Sequence, residues 1–160
     1  EDPAKLTEII LNTVKQSKHR FILAKGWGGL HLADTSRQLD KNIFVVDSIP
    51  HDWLFPRMKA IVHHGGAGTT AAALRAGVPS VIVPFSGDQP FWGERIRKLR
   101  LGTAPIHHAR VSTNRLTTAI DSVVNDLEMQ KRAYVIGTKI RSENGVARAV
   151  EAFQTFVING

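Results

Sequence analysis

Cysteine is missing from all 160 residues, which excludes disulfide staples and thiolate metal sites within the chain. A reducing compartment fits that absence, so the expected location is cytoplasmic, with peripheral attachment where a membrane is involved. Long apolar runs are missing too. No stretch of eighteen apolar residues occurs, and Glu1-Asp2-Pro3 has neither the basic flank nor the apolar core of a secretory leader. Aromatic residues make up only 7% and acidic residues number 14 against 21 Lys and Arg, a formal charge of +7. That excess favours an acidic partner: nucleic acid, an anionic membrane surface or a phosphorylated small molecule. The basic groups Arg95-Ile96-Arg97-Lys98-Leu99-Arg100 and Lys131-Arg132 carry no interleaved aromatics, so no nucleic-acid surface is expected. They read as solvated helix faces, with attraction to a membrane surface as the alternative.

The length and the 42% hydrophobic content suit one domain with one sizeable core. Asp2-Pro3 reads as a helix cap with proline in the first turn, followed by Leu6, Ile9, Ile10 and Val14 at helical spacing. Four short apolar runs, Arg20 to Lys25, Ile43 to Val46, Ala60 to His63 and Ser80 to Pro84, read as buried parallel strands. Helices are expected at about 52–57, 69–76, 88–99, 113–126, 128–142 and 145–157. This alternation predicts an α/β fold, a Rossmann-like doubly wound parallel sheet with helices on both faces. Because such a domain usually opens on a strand, a first strand is expected ahead of Glu1.

The most informative stretch is Val62-His63-His64-Gly65-Gly66-Ala67-Gly68-Thr69-Thr70, at the end of a predicted strand and the start of a predicted helix. A helix start offers unpaired N–H groups and the positive end of the helix dipole, and glycines let an anion approach the main chain. The turn departs from the Rossmann fingerprint by following the third visible strand, and no lysine precedes Thr69 as a P-loop requires. Side chains alternate along a strand, so His63 and His64 should face opposite ways. No carboxylate stands near them at ligand spacing, so no metal site is expected. His64, beside Gly65, is the residue expected to donate to a phosphate, with His63 facing the sheet interior.

The run from His63 to Thr70, with Gly77-Val78-Pro79, Pro84-Phe85 and Gly87-Asp88-Gln89-Pro90-Phe91-Trp92, resembles the donor-binding signature of family 1 glycosyltransferases. Ser48-Ile49-Pro50-His51-Asp52-Trp53-Leu54-Phe55 and Ala71 to Gly77 look most like sterol 3-beta-glucosyltransferases and bacterial relatives acting on natural products. The resemblance is strong over about Phe21 to Ile106. It implies that residues 1–160 are the C-terminal, donor-binding half of a GT-B enzyme, that the acceptor domain and its general base lie outside this chain, and that no catalytic residue lies within it. The implied donor is UDP-glucose with no further cofactor, and the implied acceptor is a lipid-like sterol. His64 would contact the diphosphate, the backbone of Gly66, Ala67 and Gly68 with Thr69 and Thr70 would hold the phosphates, and Asp88 with Gln89 would bind hexose hydroxyls. Ser48, Ile49 and His51 would border the base, with Lys25 and Trp27 as further candidates. Ser48 stands where plant members carry a tryptophan that stacks on uracil, and Ala72 where they carry a glutamate for the ribose. Two rivals remain at this stage: a polyketide or glycopeptide glycosyltransferase, and a non-catalytic module that binds an acidic partner or a membrane.

Overall fold

The computed structural model describes residues 3–25 and 41–159; Trp27 lies outside them. Helix α1 (Pro3–Gln16) leads into strand β1 (Phe21–Ala24), which pairs in parallel with β2 (Ile43–Val46), Phe21 opposite Ile43 and Ala24 opposite Val46. A short helix α2 (His51–Leu54) and one 3₁₀ turn bring the chain to β3 (Ile61–His63). Helix α3 (Ala67–Ala76) then crosses to β4 (Ser80–Ile82), parallel to β3 with Ile61 opposite Ser80. Helices α4 (Gln89–Lys98), α5 (Thr113–Asn125), α6 (Leu127–Ser142) and α7 (Gly145–Asn159) complete the order.

Strand alternation divides the core into two layers. On one face Val81 and Val83 pack with Leu116, Ala119, Ile120 and Val123 of α5, and Ile9 of α1 and Phe21 of β1 join them. On the other face Ile61 packs with Ala73 of α3 and with Leu54, Phe55 and Val78. Helices therefore cover both faces, as the strand and helix alternation predicts. Thr7 and Thr13 are buried in α1 without cost to the apolar layer, because each hydroxyl donates to a carbonyl one turn back, Pro3 and Ile9, at 2.8 Å. Residues 101–106, not foreseen as part of the sheet, run beside β4: Ser80 N donates to Leu101 O at 3.0 Å and Ile106 N to Ile82 O at 2.9 Å.

One departure from the expected sheet stands out. Among the described residues the strands form two separate pairs, β1–β2 and β3–β4, with a cavity of about 1840 Å³ bordered by both. Helix boundaries agree closely with the sequence periodicity, except that α3 starts at Ala67, two residues ahead of expectation. The basic run 95–100 lies on and just after α4, and only Ile96 turns inward; Arg95, Arg97, Lys98 and Arg100 are exposed. Helix α7 shows Val146, Val150, Phe153, Phe156 and Val157 to solvent.

Gly77 ends α3 in the left-handed conformation, φ 73°, and its N–H returns to carbonyls of the last turn. Helix α6 crosses at that point through Gly137, where an added Cβ would lie 2.6 Å from Gly77 Cα and 2.9 Å from the Leu74 carbonyl oxygen. Backbone on both sides cannot yield as a side chain would. Gly137→Ala should therefore lower stability by about 1–3 kcal/mol in urea denaturation. An unchanged midpoint would show that α6 does not bear on the end of α3.

Candidate functional site

The site is assembled at the carboxyl ends of β3 and β4, where ligands of open α/β sheets bind. β3 ends at His63, and the chain must reverse at once into α3. Gly65 makes this possible with φ 91°. A Cβ there would lie 2.7 Å from Ile82 Cγ2 and 3.1 Å from the Gln89 carbonyl oxygen, so Gly65 also lets the start of α4 sit against the turn. The amino ends of α3 and α4 thus meet at one sheet edge.

Gly66 caps α3 without a side-chain hydrogen bond, and Thr70 N donates to Gly66 O at 2.9 Å. The backbone donors of the first turn are accordingly those of Ala67, Gly68 and Thr69. Thr70 needs correction. Its amide is spent inside the helix and its side chain is 1% exposed, so it packs under the turn and offers no hydroxyl to a ligand. Thr69 is half-buried and borders the cavity.

The two histidines diverge, with rings 6.4 Å apart and nearly perpendicular at 89°. His64 is exposed, and its imidazole lies so close over Gly66 that a Cβ on Gly66 would collide with Nε2. A glycine at 66 is what lets this ring rest over the amino end of α3. His63 turns inward. Its Nδ1 accepts from Gly65 N–H at 3.1 Å, and its Nε2 is buried with no hydrogen-bond partner among the described residues. Burial, and secondarily the neighbouring His64 and His51, lower its pKa to about 4. His63 is therefore neutral near pH 7 and acts as a brace for the turn. The inward turn follows from strand alternation; its bond to Gly65 does not.

Asp88 and Gln89 open α4, after Gly87 at φ 62°. Gln89 Oε1 accepts from Phe85 N at 2.8 Å and Ser86 N at 3.2 Å. Its carbonyl thus fixes the loop and only its NH₂ can face a ligand, which narrows the expectation that the amide both donates and accepts. Asp88 Oδ2 accepts from Trp92 Nε1 at 2.7 Å, which leaves Oδ1 of this exposed carboxylate available. Trp92 stands in the signature run with no role assigned from sequence, although its place four residues after Asp88 on a helix was the available signal.

Ser48, Ile49, His51, His64 and Thr69 border the same cavity. His51 stacks on Phe55 with ring centroids 4.3 Å apart. Lys25 pairs with Asp47 at 2.6 Å, next to Ser48. Asp88 and Gln89 do not line that cavity.

Comparison with known proteins places the chain in a family. Residues 10–151 match the family described as erythromycin biosynthesis protein CIII-like, C-terminal domain, and the chain belongs to that family. It is 46% identical over 153 residues to sterol 3-beta-glucosyltransferase UGT80A2 of Arabidopsis thaliana, covering 96% of this chain and 23% of that protein. It is 41% identical over 162 residues to a sterol 3-beta-glucosyltransferase of Cryptococcus neoformans, covering 94% of this chain and 10% of that protein. The chain thus spans a quarter or less of the length of these relatives. Among solved structures, the glycotransferase of kitacinnamycin superposes with a TM-score of 0.81 at 23% identity, over 94% of this chain and 38% of the other. The glycosyltransferase VinC, solved with DTDP, gives 0.78 at 23% identity, over 95% and 37%. These likenesses establish the fold as that of the C-terminal half of GT-B glycosyltransferases.

The neutral His63 makes a pH prediction. Between about 6.5 and about 4 the unfolded chain binds a proton at this residue that the folded chain does not, so the unfolded state gains as pH falls through that window. His63's contribution is whole above pH 6.5 and is lost towards pH 4. Urea midpoints of the parent chain should fall more steeply over that range than those of His63→Asn, whose amide oxygen can still accept from Gly65. Parallel curves would show that His63 titrates normally.

Proposed function

We propose that this chain is the donor-binding half of an inverting glycosyltransferase that moves glucose from UDP-glucose to a sterol 3-hydroxyl. The observation that carries the reading is the meeting of two helix amino ends at one sheet edge, with His64 over the first and the Asp88–Gln89 pair opening the second. The diphosphate sits on the N–H groups of Ala67, Gly68 and Thr69 and takes a hydrogen bond from His64. The hexose lies towards Asp88 Oδ1 and the Gln89 NH₂, and Ser48, Ile49 and His51 border the base. As the acceptor hydroxyl attacks the anomeric carbon from the opposite face, negative charge grows on the leaving diphosphate. Fixed N–H dipoles and the histidine stabilise it there without reorganising. The general base and most of the acceptor pocket belong to a second domain outside residues 1–160.

The names of the relatives support a sterol as acceptor, and the family description supports a second reading, a natural-product aglycone. Acceptor profiling of the whole enzyme separates the two. A cytoplasmic protein held at a membrane surface suits a sterol acceptor and a charge of +7.

Calorimetric titration of the chain tests the donor site. His64→Ala should weaken UDP about tenfold, the scale of one charge-assisted hydrogen bond, and Gly66→Ala should do the same by displacing the His64 ring. Asp88→Ala should weaken UDP-glucose and leave UDP unchanged. Equal losses for both ligands would take Asp88 off the sugar, and unchanged UDP binding in both turn variants would refute the diphosphate site.

A further inference from the structure

The loop that leads from β4 to the Asp88–Gln89 pair is tied down by a stack of rings from a distant part of the chain. Pro84, two residues past β4, has no N–H to give. Its carbonyl oxygen accepts from His108 N at 3.1 Å, which continues the contact that Ile106 N makes with Ile82 O at 2.9 Å. Residues 106–108 thus run alongside residues 82–84 and pass into a 3₁₀ turn over His108–Arg110. That turn is closed by Arg110 N donating to His107 O at 2.7 Å and Val111 N to His108 O at 3.2 Å. It lays the His108 ring against Phe85, with centroids 5.3 Å apart and planes within 9° of parallel. The His107 ring backs His108 at 4.3 Å, and its own Nδ1 accepts from Ala109 N at 3.3 Å.

Phe85 is also the residue whose backbone orients Gln89. Its N–H and that of Ser86 both donate to Gln89 Oε1, so the direction of the Gln89 amide follows the placement of Phe85. The tip of the loop adds no support: Ser86 and Gly87 are exposed, and a Cβ on Gly87 would meet nothing within 4 Å. A segment with so few contacts is held only by its ends. One end is the Gln89 backbone against Gly65. The other is the Phe85 ring, which packs at the margin of the layer formed by Val81, Val83 and α5 and stacks on His108.

We propose that His108 is a positioning residue for the hexose end of the donor site. Its N–H holds Pro84 and its ring holds Phe85, and the Phe85 N–H then fixes the Gln89 amide with its NH₂ towards the sugar. The inference rests on the donor site assigned above and adds to it the residue that separates sugar affinity from nucleotide affinity. The turn that carries Ala67, Gly68 and Thr69 is braced by His63 through Gly65 N–H, and His108 has no part in it. Loosening the Phe85 loop therefore costs the hexose its contact with Gln89 and leaves the diphosphate cradle as it was.

Donor kinetics of the whole enzyme, with its acceptor domain in place, test this. His108→Ala keeps the backbone N–H and removes the ring. The KM for UDP-glucose should rise about three- to tenfold, the scale of one aromatic stack, while the inhibition constant of UDP, which lacks the hexose, stays unchanged. His108→Phe, which restores a flat ring, should restore the KM. On a Gln89→Ala background His108→Ala should add less than about twofold, because the two residues act in series. If His108→Ala does not fold, His108→Leu fills the space without a flat face and carries the same expectation. An unchanged KM for UDP-glucose, an equal loss for UDP and UDP-glucose, or no recovery in His108→Phe overturns the proposal. Gln89→Ala alone distinguishes its failure from that of the donor site. No rise in the KM for UDP-glucose there takes Gln89 off the sugar and the proposal falls with it, whereas a rise there with none in His108→Ala removes only His108.

Discussion

The arrangement depends on the absence of one side chain, at Gly65. With φ at 91° and no Cβ to strike Ile82 or the Gln89 carbonyl, the chain leaves β3, reverses within two residues and enters α3 while α4 starts against the same turn. Any larger residue would push α4 away or unwind the first turn of α3. The electrostatics follow from that geometry. The N–H groups of Ala67, Gly68 and Thr69 open α3 at one sheet edge, whereas α4 adds mainly its dipole there, because Gln89 N is bonded to Ser86 O and Pro90 has no N–H. His63 braces the turn from below through Gly65 N–H, and Gln89 braces the neighbouring loop through Phe85 and Ser86.

Two adjacent histidines show how local structure sets chemistry. Strand alternation sends one inward and one outward. The inward ring is desolvated and kept neutral, its pKa lowered to about 4, and it works as a hydrogen-bond acceptor. The outward ring rests over Gly66 at the surface, where it can meet an anion. The residue type is the same, and burial is the main difference between the inward brace and the outward, exposed ring.

Much of this was legible in the sequence because it rests on local rules. Apolar periodicity placed the seven helices, the four short apolar runs placed the strands, and glycines between a strand and a helix marked the turn. What was not legible depends on contacts distant in sequence or on a shift of register. Thr70 looked like a donor because α3 was expected to start at Thr69; starting at Ala67 moves it into the second turn and underneath. The spending of the Gln89 carbonyl on Phe85 and Ser86 is a loop geometry that composition does not encode. Residues 101–106 carry Gly102, Pro105 and no sustained apolar run, so their alignment beside β4 is fixed by the sheet edge and not by propensity.

The division between backbone and side chain explains how the fold can be shared at low identity while ligand preference varies. The kitacinnamycin glycotransferase superposes with a TM-score of 0.81 at only 23% identity, which requires that what fixes the fold be insensitive to most side chains. An anion cradle made of N–H groups at a helix start has that property: it needs glycines where the chain turns or a ring rests, and tolerates variation elsewhere. Side chains that would read a base or ribose have no such protection. Ser48 and Ala72 border the cavity, and larger side chains there would narrow that space while leaving the backbone turn intact. Under the proposed function, the backbone part of the site selects for an anion, and the choice among nucleotides falls to the side chains around it.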